Sequence, residues 1–232
     1  MIRGIPFGRR FDDATFETYE VTGFNRKAYE ACLRLARGES DGVVLVGPGG
    51  VGKTHLLHAV AVEYDRRHTI VLPDDDPAEP TIEVPSALEL IRTADVALED
   101  DGASPRLEPG EIEREALVDY WPMLDLAGRL RASALHSNDV GVSESCCTCD
   151  LLILDDLGHE KVSDFILQEV RRIIDWRYRS MLPIAIATNF TEAQIMEKYG
   201  EHTYSRWLGS CDIVEVAGSD YRRDRGPVRR AV

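Results

Sequence analysis

At 232 residues the chain is long enough for one α/β domain with a substantial buried core and short for two. No stretch approaches the ~18 uninterrupted apolar residues of a membrane span, and the start, MIRGIPFGRRFDD, has no apolar core of the signal-peptide kind, so the expected location is cytoplasmic. The formal net charge of -14 would argue against a nucleic-acid partner, but residues 71–120 hold 15 acidic side chains against Arg92, Arg106 and Arg114, leaving 26 acidic against 24 basic elsewhere.

In chain order, a lead segment (residues 1–24) with Phe11, Phe16 and Tyr19 precedes Asn25, an N-cap for a helix over Arg26–Arg37 that Gly38 stops. The apolar run Gly42–Val46 predicts the first strand and Leu56–Tyr64 a helix. Thr69–Leu72 and Thr81–Val84 both read as strands, divided by Pro73-Asp-Asp-Asp-Pro77, and which one joins the sheet stays open. A helix is expected from Pro85-Ser86 to about Leu98, a loop over Asp100–Gly110, and an amphipathic helical stretch over Glu111–Leu135 that Pro122 breaks or kinks. Leu151-Leu-Ile-Leu154 is a fully apolar run ending in two acids, the pattern of a buried parallel strand. Ser163 caps a helix over Asp164–Arg179, Pro183–Ala187 is the next strand, Thr191–Tyr199 a helix and Ile213–Val216 the last strand. Strands alternating with helices predict a mainly parallel sheet covered on both faces.

Between the first strand and its helix lies Gly47-Pro-Gly-Gly-Val-Gly-Lys-Thr-His55, the full G-x-x-x-x-G-K-T pattern in the strand-to-helix setting of a phosphate loop. Gly47, Gly49, Gly50 and Gly52 let the backbone wrap closely, so that successive N–H groups, with that of Val51, and the helix N-terminus face bound phosphate. Lys53 reaches the outer phosphates and the Thr54 hydroxyl is placed to ligate Mg2+. A glycine turn that merely caps a helix would not need this whole pattern. A nucleoside triphosphate site also needs a carboxylate across from the loop and a group that orients water, both at the C-terminal edge of the sheet. Asp155 and Asp156 follow Leu154 directly, Asp155 as the Mg2+ partner and Asp156 as the residue that polarises the attacking water.

With these elements in hand, the chain resembles the DnaC and IstB branch of AAA+ ATPases, kin of DnaA. The resemblance rests on the run Gly52–His58, on Leu151-Leu-Ile-Leu-Asp-Asp-Leu-Gly158, on Arg177-Tyr178-Arg179, on Ala187-Thr-Asn189 and on Tyr204-Ser-Arg-Trp-Leu208, and covers about residues 10–225. It implies a P-loop NTPase of three αβα layers around a five-stranded, mainly parallel sheet, with the domain at 25–218, an acidic insertion at about 69–148 and a basic tail at 219–232. It assigns Asn189 as a sensor of the γ-phosphate, Arg206 as a finger reaching a neighbouring subunit's nucleotide, and Arg222 as a second arginine near the nucleotide, with His55 part of the loop signature. It places Phe16 and Tyr19 near the base. ATP and Mg2+ are the implied cofactors and ATP hydrolysis, dependent on assembly with like subunits, the implied activity. The implied setting is DNA replication, as a helicase-loader-like factor with a replicative helicase as partner. An IstB-like transposition helper facing a transposase, or a nucleotide-gated protein-binding module with little catalysis, stand beside it. The chain departs from relatives in starting its ATPase module near residue 1, in a longer span from Lys53 to Asp155, and in carrying acid where relatives touch single-stranded DNA.

Of the five cysteines, three crowd into Cys146-Cys147-Thr148-Cys149, an odd set that speaks against a disulfide framework. With His136 they could form a zinc site, but paired C-x-x-C spacing is absent, and small, partly buried residues leading into a strand are the favoured reading. His55 and His58 are assigned no metal. Asp74–Asp76 lacks the glycine-containing calcium loop and reads as a solvated turn.

Overall fold

The computed structural model describes residues 2–4, 11, 13–67, 116–135, 141–158 and 163–221. The expected elements between residues 69 and 110, His136, and the basic tail from Arg222 onward lie outside them. Six parallel strands form one sheet: β1 (Ile2–Gly4), β2 (Gly42–Val46), β3 (Val118–Pro122), β4 (Leu151–Leu157), β5 (Ile184–Thr188) and β6 (Asp212–Glu215), in the order β1-β3-β4-β5-β2-β6. The parallel α/β sheet is the expected one, and β2, β4, β5 and β6 are strands that the sequence predicts; β3 is not. The sixth, β1, comes from the lead segment and pairs with β3 at the edge, Ile2 opposite Val118.

Alternation along each strand sends side chains to two cores. Val43 and Leu45 join Leu151 and Ile153 under the helices α1 (Arg26–Ala36) and α2 (Lys53–Arg67). Val44, Leu152 and Leu154 face the other way. There they meet residues of α3 (Met123–Leu135), α4 (Gly141–Thr148), α5 (Asp164–Arg179), α6 (Glu192–Tyr199) and α7 (Glu201–Ser210). The sheet is therefore the middle of three layers, as a parallel sheet with crossover helices requires.

Local chemistry accounts for the element ends. Ser163 caps α5 by accepting from Ile166 N at 3.4 Å, and Thr191 with Gln194 forms a reciprocal capping box at α6. Asn25 precedes α1 but does not cap it forward: its Oδ1 accepts from Thr22 N at 2.7 Å and its Nδ2 donates to Glu20 O, folding the lead segment back on itself.

One expectation is corrected. The stretch 111–135 is not one kinked helix, because Val118–Pro122 is strand β3, paired with both β1 and β4. Val118 and Tyr120 enter one core and Trp121 the other, so a strand buried on both faces shows no polar alternation and mimics helical spacing. Pro122 ends it, and Met123 opens α3 at once. Residues 118–148 thus supply a sheet strand and two packed helices, although they sit inside the span expected as an insertion. Helices α4 and α7 are additional to the expected elements; Gly200, at φ +88, separates α6 from α7 and breaks the pattern.

Candidate nucleotide site

Strand order builds the site. β5 lies between β2, which ends in the phosphate loop, and β4, which ends in the acid pair, so the end of β5 falls between them. Thr188 fastens that end: its hydroxyl donates to Leu157 O at 2.7 Å and accepts from Phe190 N at 3.0 Å, while its carbonyl accepts from Gly47 N at 3.2 Å. Asn189 follows. Its Oδ1 accepts from Lys53 Nζ at 2.7 Å, and the same ammonium donates to Gly47 O at 2.7 Å and Pro48 O at 2.8 Å. Lys53 is 5% exposed, a buried cation held by these acceptors at the mouth of the loop.

Asp155 sits beneath Thr54. The Thr54 hydroxyl donates to Asp155 Oδ1 at 3.4 Å, the Tyr120 hydroxyl donates to Oδ2 at 2.7 Å, and Asp156 N donates to Oδ1 at 2.9 Å. Burial holds the Asp155 carboxyl above its ordinary range, the charge of Asp156 adding to the rise while the Tyr120 and Thr54 hydroxyls oppose it. A hydroxyl and a carboxylate are hard oxygen donors of the kind Mg2+ takes, and a cation there would reverse the upward shift. The residues therefore fit the ion. Burial also holds the Tyr120 hydroxyl protonated, as a donor must be. Asp156 is exposed and lines the cavity, its backbone in the left-handed region at φ +53.

A cavity of about 550 Å³ opens over the loop, bringing together Gly49, Gly50, Gly52, Lys53, Thr54, His55, Asp156 and Asn189. Gly47 and Val51 belong to the loop without lining it, Val51 being 1% exposed. The lead segment closes the far side with Phe11, Asp13, Thr18 and Tyr19. His55 Nε2 ties that segment down, 2.9 Å from Thr15 O and 3.3 Å from Thr18 Oγ1, and Tyr19 meets the His55 ring edge-on at 5.1 Å. Phe16 packs instead edge-on against Tyr29. His58 stacks on Phe11 at 4.8 Å and tilts against Tyr120 at 4.9 Å.

Arg206 lies elsewhere, beside a second cavity of about 350 Å³ that includes Asp41 and Ile184. Those residues stand at the starts of β2 and β5, the opposite end of the strands from the loop. A five-residue strand is about 16 Å long, beyond an arginine's reach. Its guanidinium is held by Asp175, by His202 Nδ1 at 2.5 Å, and over the Tyr178 ring at 5.7 Å. Two residues at the site escape sequence reasoning. Tyr120 is hidden in a strand whose spacing reads as helix, and Tyr221, which lines the cavity, stands in the sequence only as a neighbour of Arg222. No local pattern marks the first, because its strand is buried on both faces.

Cys146, Cys147 and Cys149 are buried and gather around Arg177. Arg177, 1% exposed, donates Nη1 to the carbonyls of Cys146 at 2.9 Å and Cys149 at 3.0 Å, and Nη2 to Pro183 O at 2.7 Å. Burial pushes the Cys146 and Cys147 thiols up and that of Cys149 up to about 12. Among the described residues no group of three or more His, Cys, Asp or Glu side chains is placed to hold a metal ion. No described helix is long and apolar enough to cross a membrane.

Comparison with known proteins agrees with this geometry. Residues 11–71 match the model of the bacterial DnaA ATPase domain. Over 56 residues the chain is 41% identical to the chromosomal replication initiator protein DnaA of Zymomonas mobilis, a match spanning 23% of this chain and 12% of that protein. The chain thus covers only a small part of the length of that curated relative. The crystal structure of the DnaC helicase loader superimposes with a TM-score of 0.64 at 19% identity, over 90% of this chain and all of that one. Replication initiator DnaA bound to AMPPCP and single-stranded DNA gives 0.62 at 18% identity, over 94% of this chain and 57% of that one. The chain carries an AAA+ ATPase fold related to that of DnaA and of the DnaC helicase loader.

Proposed function

We propose that this chain binds and hydrolyses ATP as an assembly-dependent switch in DNA replication, acting as a helicase-loader-like factor in the cytoplasm. The observation that carries the reading is the convergence of Lys53, Thr54, Asp155, Asp156 and Asn189 from three strand ends around one cavity. Loop amides and the Lys53 ammonium bind the phosphates; Lys53 exchanges its carbonyl partners for phosphate oxygens. Thr54 and Asp155 would hold Mg2+, which when bound neutralises charge on the transferring group. Asn189 stands by the γ-phosphate and Asp156 orients water toward it. Arg206, too far to serve its own subunit, is delivered to the nucleotide of a neighbouring copy, where its fixed charge meets charge developing in the transition state. The replicative helicase is the partner proposed. Single-stranded DNA is the nucleic acid proposed, by analogy with the DnaA that was solved bound to it.

Steady-state ATPase activity, measured against protein concentration with and without single-stranded DNA across a salt series, tests this. Turnover per subunit should rise with concentration, and stimulation by DNA should fall steeply with salt. A protein that binds ATP tightly but shows no turnover at any concentration would instead be a nucleotide-gated binding module.

A further inference from the structure

The chain that leaves β6 runs back across the phosphate loop. Val216 N donates to Val46 O at 2.7 Å, and the Val216 carbonyl oxygen fills the place where a Cβ on Gly47 would stand. Five residues after Val216 the second anchor follows, Tyr221 N donating to Gly50 O at 3.1 Å. Between these anchors the Asp220 side chain lies directly on Gly50: its Oδ1 and Cγ occupy the space of an ideal Cβ there. Gly50, at φ +84, is thus excluded from carrying a side chain twice over, by its backbone and by this contact. The result is an acidic group pressed against a loop whose N–H groups face phosphate. A carboxylate is an acceptor-only anion, as a phosphate is, and suits the same donors.

We propose that Asp220 is a built-in anionic brake at the phosphate loop: its carboxylate, lying on Gly50, sets nucleotide affinity by charge. The proposal rests on the nucleotide reading above. Because Tyr221 N pins the backbone to Gly50 O, the charge stays close to the bound ligand. The penalty therefore grows with the negative charge of the ligand. ATP suffers most, ADP less, and adenosine, which has no phosphate, is indifferent.

Calorimetric titration of the full chain, as wild type, Asp220→Asn and Asp220→Ala, with adenosine, ADP and ATP at two salt concentrations tests this. Asp220→Asn keeps the shape and removes the charge. It should bind ATP about tenfold tighter than wild type, ADP by a smaller factor and adenosine equally, with the gain shrinking at high salt. Unchanged or weaker ATP binding in both variants, or a gain as large for adenosine as for ATP, overturns the proposal while leaving the nucleotide site standing. Absence of binding by wild type and variants alike overturns the nucleotide reading itself, and this inference with it.

Discussion

At the scale of single residues, the site is a set of groups whose charge state is set by burial. Lys53, which opens α2 and lines the cavity, and Asp155, which lies on β4 beside Thr54, are each 5% exposed, so both carry desolvation that bound phosphate and a divalent cation would relieve. His58 shows the opposite outcome. Burial, with His55 nearby, pushes its imidazole down to about 3, so it packs as a neutral ring between Phe11 and Tyr120. The folded pKa lies below the unfolded value of 6.5, so the stability this confers is complete above pH 6.5 and is lost as pH falls toward 3. The loss approaches about 1.4 kcal/mol per pH unit, or up to about 2 kcal/mol by pH 5. Urea unfolding of wild type and His58→Phe between pH 7 and pH 5 should show a shallower decline in the variant; equal declines would remove His58 from the account.

At the scale of elements, Arg177 does what no hydrophobic residue could at that position. It lies on α5, yet its guanidinium collects carbonyls from the end of α4, the turn into β4 and the entry to β5. The last carbonyls of a helix have no partner within it, and a buried arginine supplies several donors at once. The crowding of Cys146, Cys147 and Cys149 follows from the same contact, since small side chains let α4 approach the arginine. Arg177→Met preserves volume but removes the arginine donors: the Pro183 carbonyl keeps Leu152 N and that of Cys146 only the weak Cys149 thiol, at a cost of about 3 kcal/mol. Thermal unfolding should show a large fall in midpoint for Arg177→Met. A fall no greater than that of an exposed change such as Arg34→Met, whose ion pair with Asp212 is solvated, would contradict this.

At the scale of the whole molecule, the loop and Arg206 occupy opposite ends of the parallel strands. On the proposed function, a finger that cannot reach its own nucleotide would act on a neighbour's, and head-to-tail contacts of that kind build rings or helical filaments. Complementation tests this reading. Lys53→Ala should lose nucleotide binding and Arg206→Ala should bind normally without turnover, yet an equimolar mixture should recover part of the wild-type rate. The first variant supplies the arginine and the second the intact pocket. A mixture as inactive as either variant alone would rule out action across subunits.

The sequence by itself determined the phosphate loop, the strand of the acid pair, the α/β class and the ends of α5, because each is written in local chemistry: glycines at fixed offsets, a continuous apolar run and a capping serine. It also placed Asn189 at a strand end, through resemblance. What only the tertiary structure decided was the convergence itself. That β5 lies between β2 and β4, so that Asn189 meets Lys53, is a matter of strand order, which no local pattern encodes. β3 escapes local reading for a related reason: a strand buried on both faces loses the alternation that identifies it, and only its pairing with β4 reveals Tyr120 as the donor to Asp155. The contact of Asp220 with Gly50 joins residues 170 positions apart, and a link of that length exists only once the chain has folded.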